Sequence, residues 1–181
     1  MLRLRPYKSC DAKAIKSWLS DKKTFLLWGG EHFGEYPVTE EMINKKYFSD
    51  NGSCIEEDNF YPITAFDESG IVGHFIIRYL NGNNKLMRFG WVIVDDKKRG
   101  QKLGQQMLTL GLSYAFDILK AETVTIGVYE DNIPACRCYS SIGFHSSENI
   151  PDHYEETEGQ KRKVCELEIK RSEFCKSREK Q

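Results

Sequence analysis

The sequence predicts a single α/β domain: a mixed, mostly antiparallel sheet of six or seven strands with helices on both faces. Three observations carry this expectation. Apolar runs at residues 60–66, 71–80 and 86–94, joined by Asp67-Glu-Ser-Gly70 and Asn81-Gly-Asn-Asn84, read as an antiparallel meander. A long helical stripe at 103–120 then separates the run ending at Val94 from a period-two run at 123–128. That spacing is the one of a right-handed crossover between parallel strands. A closing alternation at 164–170 supplies a further antiparallel strand.

Composition bounds the rest. The chain has 181 residues, 40% of them hydrophobic and 29% charged, with a formal net charge of −1. Such a length suits one domain with a sizeable core. The near-neutral balance argues against broad electrostatic binding to nucleic acid, so a nucleic-acid module is disfavoured and no such partner is expected. No apolar run approaches the roughly 20 residues that span a bilayer, so no membrane partner is expected. Met1 to Tyr7 alternates charged and apolar residues and lacks the apolar region of a secretion signal, which makes a cytoplasmic location the expectation. Six cysteines (10, 54, 136, 138, 165 and 175) form no C-x-x-C pair and read as free thiols filling small apolar spaces. Cys136 and Cys138 are too close for the usual zinc-ligand spacing, and no metal is expected.

Taken in order, residues 2–7 read as a half-buried strand ending near Pro6. Ser9 and Asp11 offer caps for a short helix through Ala14, Ile15, Trp18 and Leu19. Residues 24–28 are stopped by Gly29-Gly30, and 31–37 suggest an exposed loop. Residues 39–48 are helical, with acids at the start and lysines near the end, as the helix dipole favours. Residues 50–59 read as loop. After the meander, Leu103, Met107, Leu110, Tyr114 and Ile118 mark the long helix packed on the sheet. Asn132-Ile-Pro134 opens another helix that stops at Gly143. Residues 144–147 begin a strand that pairs with 164–170, whose inward set is Cys165, Leu167 and Ile169. The polar segment 151–163 reads as their connection, and 172–181 as a charged tail that frays beyond a domain of residues 1–171.

The junction after Val94 says most about chemistry. An apolar strand meets a basic turn with Lys97, Lys98, Arg99 and Lys102, then a helix start. Backbone N–H groups and the positive end of a helix dipole converge there, which makes it an anion site and points to a phosphate-bearing ligand.

Two segments then carry a family likeness. The first is Arg99-Gly-Gln-Lys-Leu-Gly104, in the frame (Gln/Arg)-x-x-Gly-x-(Gly/Ala). The second is Asn132-x-x-Ala135-x-x-x-Tyr139-x-x-x-Gly143-Phe144. Together, in this order, they resemble the GNAT superfamily of acyl-CoA-dependent N-acetyltransferases. The helix-rich N-terminal third looks like the branch containing ribosomal-protein-alanine and small-amine acetyltransferases. The resemblance implies a sheet splayed at its one parallel pair and acetyl-CoA as co-substrate. Backbone groups of Ile93 and Val94 would hold the pantetheine arm. N–H groups of Arg99, Gly100, Gln101, Lys102, Leu103, Gly104 and Gln105 would cap the pyrophosphate, and Asn132 would contact the arm or brace the loop. Tyr139 would protonate the departing thiolate as general acid. The implied reaction is direct attack by a primary amine, of a protein N-terminus or a small molecule, on the thioester. Lys102 stands where the family frame has its first glycine, which bears on the geometry of the turn.

The base and acceptor site follow less directly. His74 has a suitable intrinsic pKa for the base. Glu31, His32 and Glu35 lie in the N-terminal loop where this family builds its acceptor pocket, able either to hold a cationic amine or to relay its proton. Trp28, Phe33, Tyr36 and Trp91 would line that pocket or equally well pack as core, with core favoured for Trp28 and Trp91. Arg88 falls where some members carry a catalytic carboxylate. The alternative to an enzyme is a non-catalytic acyl-CoA-binding sensor on the same fold. The chain is expected to be a monomer or homodimer.

Overall fold

A computed structural model of the chain describes residues 1–178, which form one sheet of eight strands. The strands are β1 (Arg3–Pro6), β2 (Phe60–Asp67), β3 (Gly70–Leu80), β4 (Asn83–Val94), β5 (Thr123–Tyr129), β6 (His145–Ser146), β7 (His153–Thr157) and β8 (Gln160–Lys170). Their spatial order is β1-β2-β3-β4-β5-β8-β6, with β7 also paired to β8. Only β4 and β5 run parallel; every other pair is antiparallel. The expected fold class stands.

The helices are α1 (Ala12–Trp18), α2 (Lys22–Leu27), α3 (Glu40–Asn44), α4 (Leu103–Ser113), α5 (Ile133–Ser141) and α6 (Arg171–Arg178). Local chemistry sets their starts. The Asp21 side chain accepts from Thr24 N ahead of α2, and Thr39 accepts from Met42 N ahead of α3, whose first turn carries Glu40 and Glu41. Each cap satisfies a backbone donor that has no partner within the helix.

Strand alternation sends side chains to two cores. Phe75 and Ile77 of β3 pack with Phe89, Met107, Leu108 and Leu112 under α4. Ile76 faces the other way, to Ile15, Trp18, Phe25 and Ile43 under α1 to α3. A buried hub ties the second layer to the sheet edge. Asp11 accepts from Arg5 Nη1 and Nη2 (2.7 and 2.9 Å), from Lys8 N (2.9 Å) and from Thr64 Oγ1 (2.7 Å). Burial pushes its carboxyl up, but the Arg5 fork and these donors outweigh burial and hold it below the usual range.

Two expectations from the sequence need correction. The segment 151–163 is no simple connection: β7 lies within it and turns through Glu158 and Gly159, both at positive φ, into β8. Its side chains are mostly exposed or half-buried and only Thr157 is buried, so no apolar period betrays it. The charged segment from residue 172 does not fray as far as it is described. It forms most of α6, whose Phe174 is buried 5.5 Å from the Phe116 ring. The expected tail beyond Arg178 lies outside the described residues. On β8 itself, Glu166 and Glu168 are buried as well, Glu166 against Arg88 and Glu168 against Ser147 and Asn149.

The feature that positions the site is the parting of β4 from β5. Their pairing runs from Leu86↔Thr123 to Phe89↔Ile126 and stops, although β4 continues to Val94 and β5 to Tyr129. A bulge accompanies it. The β3 partners pass from Ile76↔Gly90 to His74↔Ile93, leaving an extra β4 residue, and Trp91 takes a φ of +46.

Candidate active site

The splay exposes a strand edge. Asp95 N–H donates to Val72 O (3.0 Å), toward β3. Backbone groups alternate in direction along a strand, so those of Ile93 also face β3 while those of Val94 and Val92 face the opening. The edge expected from Ile93 and Val94 is therefore formed by Val92 and Val94; Ile93 is paired and buried. A cavity of about 510 Å³ lies along the splay, within the roughly 300–1,000 Å³ of small-molecule sites.

The turn after Val94 gathers the groups that an anion site requires. Asp95 Oδ1 accepts from Lys97 N (3.0 Å), fixing the short helical turn Asp96–Lys98. Gly100 (φ +81) and Lys102 (φ +59) then take left-handed conformations before α4 begins. Lys102 thus follows the path expected of the family's glycine, at a cost of about 1 kcal/mol. The first N–H groups of α4, at Leu103, Gly104 and Gln105, have no intrahelical acceptor. Arg99, Gly100, Gln101 and Lys102 are exposed around them. A methyl at Gly104 would lie 3.4 Å from Cys138 Sγ and 3.7 Å from Val94, ordinary contact distances at the place where α4 meets α5 and β4. Gln105 Nε2 donates to Ser141 Oγ (2.7 Å), a second tie to α5. Free N–H groups, a dipole and cations suit a pyrophosphate, and the unpaired β4 edge suits an amide-bearing arm. The residues fit CoA.

Helix α5 delivers Tyr139. Asn132 Oδ1 accepts from Ala135 N (3.4 Å) with Pro134 in the first turn, which makes Asn132 a brace at the cavity rim. Tyr139 is 7% exposed, packs against Phe144 and lines the cavity. Its hydroxyl has no protein partner among the described residues. Burial pushes the phenol well up, with Cys138 and Cys136 adding to the shift. Such a group is protonated at neutral pH and so has a proton to give.

His74 is not placed to be the base. It is fully buried, stacked on Tyr47, with Nε2 2.8 Å from the Tyr47 hydroxyl, and it does not line the cavity. Burial drives its pKa to about 3. Two acceptor-loop residues also turn away. Glu35 is exposed outside the cavity, and Tyr36 donates to Ser20 O (3.1 Å) while packing on Phe25. Phe33 is buried between Trp28 (4.5 Å) and Trp91 (4.7 Å) and forms a wall behind the cavity, which Trp28, Trp91 and His32 reach directly.

Glu31 takes part in a cluster that the sequence did not reveal. The Tyr129 hydroxyl lies 2.7 Å from Glu31 Oε1 and 2.7 Å from Glu155 Oε2. Thr157 Oγ1 donates to Glu31 Oε1 (3.3 Å), and Glu31 Oε2 is buried with no partner. Burial pushes Glu155 up, but the Tyr129 hydroxyl and His153 outweigh it and hold the carboxyl low. Neither Glu31 nor Glu155 pairs with a Lys or Arg among the described residues. Glu31, His32 and Glu155 also bring three donor atoms within 4.8 Å of one another, a grouping of metal-ligand types where the sequence suggested none.

Beside this cluster, Arg88 meets Glu166 in a two-pronged fork (2.7 and 2.9 Å). A methyl at Gly127 would overlap Arg88 Nη2, so the glycine is what admits the fork. His153 lies between the two acids, with Nε2 3.4 Å from Glu155 Oε1 and Nδ1 3.5 Å from Glu166 Oε1. Strand period alone could have placed Glu155 and His153 on one face of a strand; no signal paired them with Tyr129 or Arg88.

Comparison with known proteins agrees with this geometry. Residues 1–145 match the family model described as "Acetyltransferase (GNAT) domain". The chain is 26% identical over 142 residues to a spermine/spermidine N(1)-acetyltransferase of Bacillus subtilis, covering 72% of this chain and 86% of the relative. It is 29% identical over 163 residues to acetyltransferase PseH of Campylobacter jejuni, covering 85% and 91%. The spermidine N-acetyltransferase of Vibrio cholerae, solved with CoA and spermine, superposes with a TM-score of 0.77 at 18% identity over 96% of this chain and 98% of that one. The matched span takes in the splayed pair, the cradle after Val94 and Tyr139, and the chain belongs to the GNAT family of acetyltransferases.

Proposed function

We propose that this acetyltransferase acetylates a primary amine on a small molecule carrying at least one further cationic nitrogen, with a polyamine the best match. Family membership sets the reaction: an acetyl group passes from acetyl-CoA to a nitrogen. The observation that carries the choice of acceptor is the Glu31–Tyr129–Glu155 cluster. A phenol has one proton to donate, yet two carboxylates approach the same hydroxyl at 2.7 Å. Tyr129 can donate to only one of them, and Glu31 Oε2 has no partner at all. An ammonium brings three donors and a positive charge, and satisfies both. A protein N-terminus offers a single ammonium, which the reaction itself consumes. The polyamine acceptors named for two of the relatives agree with this reading. We place the reaction in the cytosol, where six free cysteines remain reduced.

The residues divide the work. Val92 and Val94 bind the arm, and N–H groups from Arg99 to Gln105 hold the pyrophosphate. When bound, acetyl-CoA supplies an acetyl group activated as a thioester. Glu31 and Glu155 hold the distal cation and so aim the reacting nitrogen. Tyr139 gives its proton to the leaving sulfur, and no covalent enzyme intermediate is needed. The unpartnered Tyr139 hydroxyl in the cavity favours an enzyme over a CoA sensor.

Steady-state kinetics on a panel of amines tests this. Spermidine and spermine are expected to exceed monoamines of equal length in kcat/KM, and Glu155→Gln to remove most of that advantage. Tyr139→Phe is expected to lower kcat by about 10²–10⁴-fold while CoA still binds by calorimetry. CoA binding without acetylation of any amine would reverse the conclusion in favour of the sensor.

A further inference from the structure

We infer that the cavity holds a second charged subsite, at Arg78, for a carboxylate beside the reacting nitrogen. Its acceptors then extend from polyamines to basic α-amino acids, acetylated at the α-nitrogen. The inference rests on the amine-acetyltransferase reading above and adds a recognition element to it. Arg78 lines the cavity with Ile76 and Leu80, which share its face of β3. Directly across the strands stand Phe60 of β2 and Arg88 of β4. Two arginines thus lie side by side, a pairing that repels unless each cation is answered. Arg88 has the Glu166 fork, whereas Arg78 makes no side-chain hydrogen bond or ion pair among the described residues.

The surroundings deepen the imbalance. Gly52 rests on the Phe60 ring, where a methyl would overlap it, and so brings the next residue, Ser53, to this end of the cavity. Lys46 Nζ donates to Ser53 Oγ (2.8 Å) and forms no ion pair among the described residues. A further donor is also unanswered: Trp28 lines the cavity at 6% exposure, and its indole N–H is buried without a partner. An ammonium only donates hydrogen bonds, so a polyamine satisfies none of these groups. A carboxylate accepts from them, and the planar fork of Arg78 matches it as Arg88 matches Glu166. The CoA diphosphate is not the missing anion. Its turn follows Val94, and six residues of strand, about 20 Å, separate Val94 from Arg88, the partner of Arg78.

The order of strands sets the chemistry. Across the cavity floor come Arg78 on β3, the parting of β4 from β5, and Glu155 on β7 beyond β8. A carboxylate at Arg78 and a distal ammonium at Glu31 and Glu155 therefore leave the nitrogen between them at the gap. In a basic amino acid that nitrogen is the α-amine. Its lone pair forms the N–C bond as the C–S bond breaks. Its surplus proton passes to water, the Tyr139 proton goes to sulfur, and Tyr139 regains one from solvent.

Steady-state kinetics with lysine and lysine methyl ester, which differ in the anionic group, test the subsite. Wild-type protein is expected to favour lysine in kcat/KM and to yield the Nα-acetyl product by mass spectrometry. Arg78→Gln is expected to cut the lysine-to-ester ratio by about 10–100-fold, chiefly through KM. Arg78→Lys should keep part of the ratio, because it retains the charge without the fork. Melting temperatures should match wild type in both variants, since Arg78 has no internal partner to lose. An unchanged ratio in Arg78→Gln, acetylation of lysine at the ε-nitrogen, or a fall in melting temperature with equal losses for both acceptors would each overturn the subsite. So would refusal of lysine by a protein that acetylates spermidine, which leaves the amine reading intact. A wild-type protein that acetylates no amine would remove that reading and this inference with it.

Discussion

Arg5 grips Asp11 at 2.7 and 2.9 Å, and Arg88 grips Glu166 at the same two distances. In each fork the carboxylate side chain is 1% exposed, while the guanidinium is 24% exposed on Arg5 and 18% on Arg88. The pairs are nearly superposable as chemistry and differ in what completes them. Asp11 also receives Lys8 N–H and the Thr64 hydroxyl, both fixed parts of the fold. Beyond its fork, the Glu166 backbone N–H donates to Asp152 Oδ1 (2.9 Å), while its side chain faces His153 and the cavity. A buried ion pair is thus not diagnostic of a site. The third partner decides: a closed shell makes a fastener, an open one leaves charge to act on a ligand.

The comparison can be broken most sharply at Asp11. Asp11→Asn leaves Arg5 with no buried countercharge and is expected to lower unfolding free energy by about 3–5 kcal/mol, read by urea titration. The wild-type carboxyl titrates below its ordinary value of 3.8 in the folded state. Its contribution is therefore complete above that ordinary value and is lost as pH falls through the depressed folded one. Asp11→Asn should flatten the acid side of the stability curve below about pH 4. Glu166→Gln in the same experiment should lose less stability, because cavity water can hydrate Arg88, and should raise KM for the amine.

Gly127→Ala probes the second fork without touching either charge. The new methyl overlaps Arg88 Nη2 and displaces the guanidinium. A loss of about 1–3 kcal/mol is expected, together with a weaker acceptor KM; unchanged kinetics would separate the fork from the acceptor site. The smallest effect is expected at Lys102, where no fork exists and only the backbone is under strain. Lys102→Gly relieves a positive φ but adds chain entropy to the unfolded state, so stability should change by less than about 1 kcal/mol. CoA affinity in that variant should fall modestly and become less salt-dependent, as titration calorimetry at two salt concentrations would detect.

These forks also mark where sequence reading succeeds and stops. The meander, the crossover and the cradle after Val94 were legible because each is local: apolar period, turn residues and helix caps act within a few positions. Tyr139 was singled out only by the family resemblance of its Asn132-to-Phe144 frame, since the spacing of its helix suits a core residue equally, and the structure places it at the cavity. Glu155 and Glu166 were not. On an edge hairpin a carboxylate in the text looks the same whether it faces solvent or a cavity. Its meaning comes from Tyr129 and Arg88, and Arg88 is 78 residues away from Glu166. His74 failed for the converse reason. A histidine in a strand carries no sign of how completely Tyr7 and Tyr47 will enclose it.

The short run of pairing between β4 and β5 has a mechanical consequence. Four register pairs, from Leu86↔Thr123 to Phe89↔Ile126, are the whole β-ladder between the half-sheet β1 to β4 and the half-sheet β5 to β8 among the described residues, with the Arg88–Glu166 fork as a side-chain tie between them. The sheet is a book with a narrow spine, and the cavity is the gap between its pages. A molecule seated there hydrogen-bonds one page and packs on the other. It therefore acts as a clasp, and the two halves resist separation most strongly when the protein is loaded.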